Sequence, residues 1–225
     1  MTASEKDLEL ELDGTTVRLL PERAMFLPGL GVLLVADLHL GKAETYRSLG
    51  VPMPDGIAEE SLDRLEHAAR RTNPREIVVL GDLVHCEDGM EDPIIELFEQ
   101  WRRRVPTTMS LIGGNHDVGV SIPRSWRIEI DGEARRLGPF QLRHEPRPFD
   151  ERATDDAAFL IAGHLHPVLS LGTGARRVLA HAFLVEPGQA VLPAFTPFAR
   201  GARVQPDPSN GRRVFPIADG RVIEI

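Results

Sequence analysis

Thiols are almost missing from this sequence: Cys86 is the one cysteine in 225 residues. No disulfide can close within the chain, and a reducing cytoplasmic setting is expected. Long apolar runs are missing too. None approaches the roughly eighteen residues of a membrane-spanning helix, so no membrane association is expected. The opening residues, MTASEKDLELEL, are acidic and lack the basic and apolar regions of a secretory signal. Nor is there a surplus of positive charge. The formal net charge is −8, which does not advertise nucleic-acid binding, although bound divalent cations would reverse the local field. No internal repeat or low-complexity linker divides the chain. Its length, with 42% hydrophobic residues, suffices for one sizeable core, and a single domain over 1–225 without a large cap is expected.

What is present is a change of pattern along the chain. LELEL, TTVRLL and AMFL read as strands, with Asp13-Gly14 as a hairpin turn between the first two. Val32 to Ala36 is apolar throughout, as a strand covered on both faces requires. From Asp55 to Arg71 a helical stripe runs through Ala58, Leu62, Leu65 and Ala69. EIVVL is a further buried strand. A second helix is expected to start near Asp92-Pro93, with Asp92 as its cap, and to bury Ile94, Leu97, Phe98, Trp101 and Val105. TTMSLI follows as a strand. The second half is mostly strand-like: SWRIEI, FQLRH, AAFLIAGH, RRVLAHAFLVE, AVLPAF and RVIEI. A βαβ half followed by a strand-rich half predicts an α/β fold of two packed sheets with helices outside.

Polar clusters stand at the ends of the apolar strands. They are Asp37 and His39, Asp82 after Gly81, Asn115-His116-Asp117, His144 before Glu145, and His164 and His166. Ligands of α/β sheets bind beyond the carboxyl ends of the strands, so these groups are expected to converge on one site. If the D-x-H and H-x-H segments are extended, each pair points to one side. Gly81, Gly113, Gly114 and Gly163 are expected to supply the sharp turns. Taken singly, D-x-H is an ordinary turn and G-D ordinary loop chemistry, but five of the eight histidines fall in these clusters. Carboxylate, imidazole and amide without thiolate suit Mn, with Fe or Zn as alternatives, and not a structural cysteine-type zinc site. Seven ligand side chains exceed what one tetrahedral ion needs, whereas two divalent ions sharing Asp82 use them all.

In this order, D-x-H, G-D, G-N-H-D, H and G-H-x-H resemble the calcineurin-like metallophosphoesterase family. The resemblance implies that family's two-sheet α/β sandwich, with the metal site at the C-terminal strand ends. Within the family, ADLHLGKAETYRSLGVPMP, LGDLVH and LPAF are similar to the bacterial phosphoesterases associated with a DNA ligase and a helicase in DNA repair. Carried over residue by residue, Asp37, His39 and His166 would hold one ion, Asn115, His144 and His164 the other, and Asp82 would bridge them. Two such ions activate a water, so no serine or cysteine nucleophile is required. His116 would donate a proton or stabilise the transition state, and Asp117 would orient its imidazole. One departure stands out: Glu145 follows His144 where many family members have glycine.

The resemblance implies a metal-dependent phosphodiesterase acting on single-stranded DNA, with repair ligase and helicase as possible partners. A phosphoesterase for a small nucleotide or metabolite would use the same centre. A non-catalytic scaffold would have no reason to hold Asp82, Asn115 and His116 together. His85 and Arg200 are candidate substrate contacts, with Lys42 and Arg47 as looser ones. The ordinary readings are a passive Cys86, a solvated His67, a structural His181, and a run Arg102 to Arg104 that complements a helix dipole.

Overall fold

The computed structural model describes residues 7–148, 158–172 and 177–225. The first sheet has seven strands in sequence order: β1 (Leu8–Leu12), β2 (Thr15–Leu20), β3 (Ala24–Leu27), β4 (Val32–Val35), β5 (Glu76–Leu80), β6 (Thr108–Ile112) and β7 (Ile128–Ile130). β1 to β4 pair antiparallel, and β4 to β7 pair parallel. The β1–β2 turn is the expected one, with Asp13 and Gly14 both at positive φ. Helices α1 (Lys42–Ser48) and α2 (Ile57–Thr72) cross between β4 and β5, and α3 (Asp92–Arg104) between β5 and β6.

The second sheet comprises β8 (Ala134–Leu137), β9 (Phe140–Arg143), β10 (Phe159–Ala162), β11 (Val168–Leu171), β12 (Val178–Glu186), β13 (Gln189–Val191), β14 (Arg213–Ala218) and β15 (Arg221–Val222). Its order is β15-β14-β12-β13-β10-β9-β8, with β11 on β12. β10 lies parallel to both β9 and β13. The first residues of the AAFLIAGH and RRVLAHAFLVE segments, Ala157 and Arg176, lie outside the described residues.

Alternation along the central strands explains why they are apolar throughout. Leu34, Val78 and Leu80 face the second sheet and meet Phe140, Ile161, Phe183 and Phe215. Leu33, Val35, Ile77 and Val79 face the other way, onto Leu62 and Leu65 of α2 and Phe98 and Trp101 of α3. Both faces are therefore apolar, as parallel strands between two layers require. Among the described residues, the helices cover only the first sheet's outer face. Three expectations need correction. The N-cap of α3 is Glu91, with Asp92 and Pro93 inside the first turn. SWRIEI begins as a 3₁₀ turn over Arg124–Trp126, and only Ile128–Ile130 is strand. The arginine run does more than offset a dipole: buried Arg102 donates to the carbonyls of Trp126, Val105 and Thr107.

Candidate metal centre

Every polar cluster lies just past the C-terminal end of a strand that pairs parallel to a neighbour: Asp37 and His39 after β4, Asp82 after β5, Asn115 after β6, His144 after β9, and His164 and His166 after β10. They are not brought together by strand alternation. Asp37, His39, Asp82, His164 and His166 all have positive φ, between 48° and 69°. Left-handed backbone, not extended backbone, aims these side chains. Asp and His are enriched in that region relative to other residues, and each such residue costs roughly 1–3 kcal/mol that the surroundings must offset. The glycines act differently from the expectation as well. Of the four singled out, only Gly81 has positive φ. Gly114 is required for room: a Cβ there would lie 2.4 Å from both the amide nitrogen and Oδ1 of Asp82.

Among the described residues three groups of candidate ligands result: one is His39, His85 and His116, and the other two share Asp82. Asp37, His39, Asp82 and His166 bring one ligand atom each to within 4.8 Å of one another, and so do Asp82, His144 and His164. Asp82 belongs to both. Asn115 joins the second group, its Oδ1 lying 3.0 Å from His144 Nε2 and 3.0 Å from His164 Nδ1. The donor set fits cations. His144 Nδ1 lies 2.9 Å from the Leu80 carbonyl, which can only accept, so Nδ1 carries the proton. In the neutral ring Nε2 is then a lone pair, and it faces two acceptors: Asn115 Oδ1, and Asp82 Oδ1 at 3.4 Å. Lone pairs converge this way where a cation accepts them all. His166 likewise gives its Nδ1 proton to the Arg200 carbonyl at 3.1 Å, and its Nε2 lies 3.2 Å from Asp37 Oδ1. Burial, with Lys42 and the neighbouring histidines, lowers the His39 pKa far below the ordinary range. His39 is therefore neutral, the form a metal takes. At His166 burial lowers the pKa, but the hydrogen bond and charge of Asp37 outweigh it and raise it.

His116 stands beside this centre, its ring 4.9 Å from that of His39 and edge-on to it. Its Nδ1 gives its proton to the His85 carbonyl at 2.7 Å. That carbonyl, not Asp117, is the hydrogen-bond partner that orients the imidazole. The Asp117 carboxylate instead accepts the amides of Val84 at 3.2 Å and Gly114 at 3.0 Å, tying the β5 and β6 loops together. Burial raises its pKa despite these bonds. The His85 ring stacks on His116 at 4.8 Å, and its pKa falls to about 4 through burial, Lys42 and His116. Two clefts border the centre. One, of about 650 Å³, includes Asn115 and His144 and has an apolar wall of Val118, Val120, Ile122 and Ile130. Exposed Glu145 lines it and takes no place among the ligand groups of the described residues. The other, of about 620 Å³, includes His39, His116 and His166 with Lys42, Tyr46 and Arg200.

Arg200 and Lys42 thus share a cleft with the centre. Arg47 is not a free contact: it holds Glu44 and the carbonyls of Met53 and Pro54. His67 is half exposed and reaches Glu22 at 3.4 Å. Cys86 packs against Thr45, with Sγ 3.3 Å from Oγ1. His181 is partly buried, its Nδ1 lacking a hydrogen-bond partner, with Arg23 and Arg64 nearby. Sequence reasoning passed over Tyr46, Met53 and Phe198 of the second cleft. The one available signal was that Tyr46 is the chain's sole tyrosine.

Compared with known proteins, residues 30–172 match the model of the calcineurin-like phosphoesterase family. The crystal structure of Pseudomonas putida nuclease MPE superposes with a TM-score of 0.82 at 30% identity, covering 98% of this chain and 100% of that one. YfcE, a phosphoesterase from E. coli, is similar at 14% identity and a TM-score of 0.44 over 85% of this chain and 96% of its own. No curated protein sequence matches.

Proposed function

The chain belongs to the calcineurin-like phosphoesterase family and is a metal-dependent phosphoesterase; from that premise we propose that it cleaves phosphodiesters of single-stranded DNA with two divalent ions, manganese foremost. The observation that carries this reading is the pair of ligand groups sharing Asp82, with a cleft beside each. A phosphate held between the groups has room for a substituent on either side, which a diester has and a monoester lacks. The 30% identity to a nuclease over nearly the whole chain supports the same substrate class. The narrower motif resemblance extends the proposal to a repair setting beside a DNA ligase and a helicase.

Asp37, His39 and His166 would hold one ion, Asn115, His144 and His164 the other, and Asp82 both. When bound, such ions supply an activated water and neutralise charge on the phosphate. The protein's own groups do the rest. The Leu80 and Arg200 carbonyls fix the tautomers of His144 and His166. The His85 carbonyl turns Nε2 of His116 toward the centre, where its imidazolium form delivers a proton to the departing oxygen. Lys42, in the cleft beside His39, draws the anionic strand toward the site.

The test is metal analysis of the loaded chain together with a substrate panel. Two transition ions per chain are expected, with cleavage of single-stranded DNA exceeding hydrolysis of a nitrophenyl phosphomonoester. One reproducible ion, or efficient monoester hydrolysis with DNA left intact, would overturn the proposal.

A further inference from the structure

The cleft beside His39 and His166 carries more than a phosphate needs. Its lining includes Tyr46, 37% exposed, Phe198, 42% exposed, and Met53. Large rings kept partly in water stabilise the fold less than buried ones and leave ring surface open to a ligand. Lys42 and Arg200 line the same cleft. Resting on the nucleic-acid reading above, we propose that this cleft is a base-stacking subsite: Tyr46 and Phe198 are the surfaces that receive the base next to the scissile phosphate, and Lys42 and Arg200 engage the flanking backbone.

Three features make it a built site. The rings of Tyr46 and His85 lie 5.9 Å apart at 21°, and those of His85 and His116 lie 4.8 Å apart at 25°. Tyr46 and His116, which both line the cleft, are thus joined through the ring of His85, and the plane of Tyr46 is set before any strand arrives. The helix bearing Lys42 and Tyr46 is fixed to the segment that follows Asp82. A Cβ on Gly41 would lie 2.3 Å from the Gly89 carbonyl oxygen, and one on Gly89 would lie 2.4 Å from that of Gly41. The loop bearing Phe198 is fixed as well, because Arg23 and Arg64 donate to the Phe195 carbonyl at 3.1 and 2.7 Å. Aromatic platforms on rigid backbone beside cations are how single strands are gripped without sequence preference, since every base presents a π-face.

The experiment uses the manganese-loaded full chain and thymidine oligonucleotides in which a single abasic residue is stepped along the strand. An abasic residue adjoining the cut is expected to slow that cut by about 5–150-fold, the range for loss of one stacked base. In Tyr46→Ala and Phe198→Ala the ratio between base-bearing and abasic strands should fall toward one, while Tyr46→Trp should retain it. Both side chains are partly exposed, and the thermal midpoint of each variant verifies that it folds. A ratio near one in the wild type, or a ratio unchanged in both alanine variants, overturns the subsite. Wild-type protein that hydrolyses bis(nitrophenyl) phosphate yet leaves every strand uncut overturns the nucleic-acid reading and the subsite with it.

Discussion

At the scale of single residues, the centre depends on what each side chain does with its second polar atom. His144, His166 and His116 each spend one ring nitrogen on a backbone carbonyl and so present the other in one direction. For His116 this has a measurable consequence. An ordinary alkoxide leaving group benefits from a proton donor by about 10²–10⁴-fold, whereas a nitrophenolate needs far less help. His116→Ala should therefore keep both ions, lose activity on a DNA diester by that factor, and lose much less on a nitrophenyl diester. Equal losses on both, measured by kcat on metal-verified protein, would reassign the residue to charge stabilisation. That these side chains would converge was legible in the sequence, because candidate ligands come in few chemical kinds and stood at strand ends. Their backbone geometry was not. Nothing in D-L-H or H-L-H distinguishes an extended strand from two left-handed residues around a leucine, and the tautomers depend on carbonyls far away in the chain. Asp117 is the instructive miss, since adjacency to His116 pointed to a contact that the fold directs to Val84 and Gly114 instead.

At the scale of elements, long periodic segments were readable and short ones were not. α2 and α3 carry stripes over several turns, and both fall within about two residues of the expected limits. α1 has seven residues and one buried side chain, Ala43, so periodicity had nothing to register, although this helix carries Lys42 and Tyr46. β8, reading ARRL, was passed over because its polar side chains make contacts that only the tertiary structure supplies. Arg135 on β8 reaches Glu76 on β5 at 2.9 Å and Ser110 on β6 at 3.1 Å, joining the two sheets. At Glu76 burial alone would raise the pKa, but the hydrogen bonds from Arg135 and Ser110 and the Arg135 charge outweigh it, and the net shift is downward from 4.5. A lowered carboxylate pKa contributes stability that is present above the unfolded value and lost as pH falls through the folded one. Glu76→Gln should therefore destabilise the protein at pH 7 by about 1 kcal/mol or less, as befits a partly exposed pair. The difference should shrink toward zero in acid, with urea midpoints at the two pH values as the measurement. A difference that persists in acid would mean that packing, not charge, joins the sheets here.

At the scale of the whole molecule, the candidate ligands are divided between the sheets. Asp37, His39, Asp82 and Asn115 follow strands of the first sheet, and His144, His164 and His166 follow strands of the second. Ions bound there would join the layers, and anything that binds only the folded state adds RT ln(1 + [L]/Kd) to its stability. At one hundred times the dissociation constant that is about 2.7 kcal/mol per site, or a rise of about 5–10 °C in Tm for a chain of this size. Manganese titration of chelator-stripped protein in a thermal melt measures it, and an unchanged Tm would contradict a centre built across the two layers. The same division bears on the order in which the polypeptide is made. The part that emerges first from the ribosome contains neither of the groups that share Asp82 whole, because one awaits His166 and the other His144 and His164. In a half-synthesised chain the two groups that share Asp82 are therefore open, and both close only once the later sheet has been translated and docked.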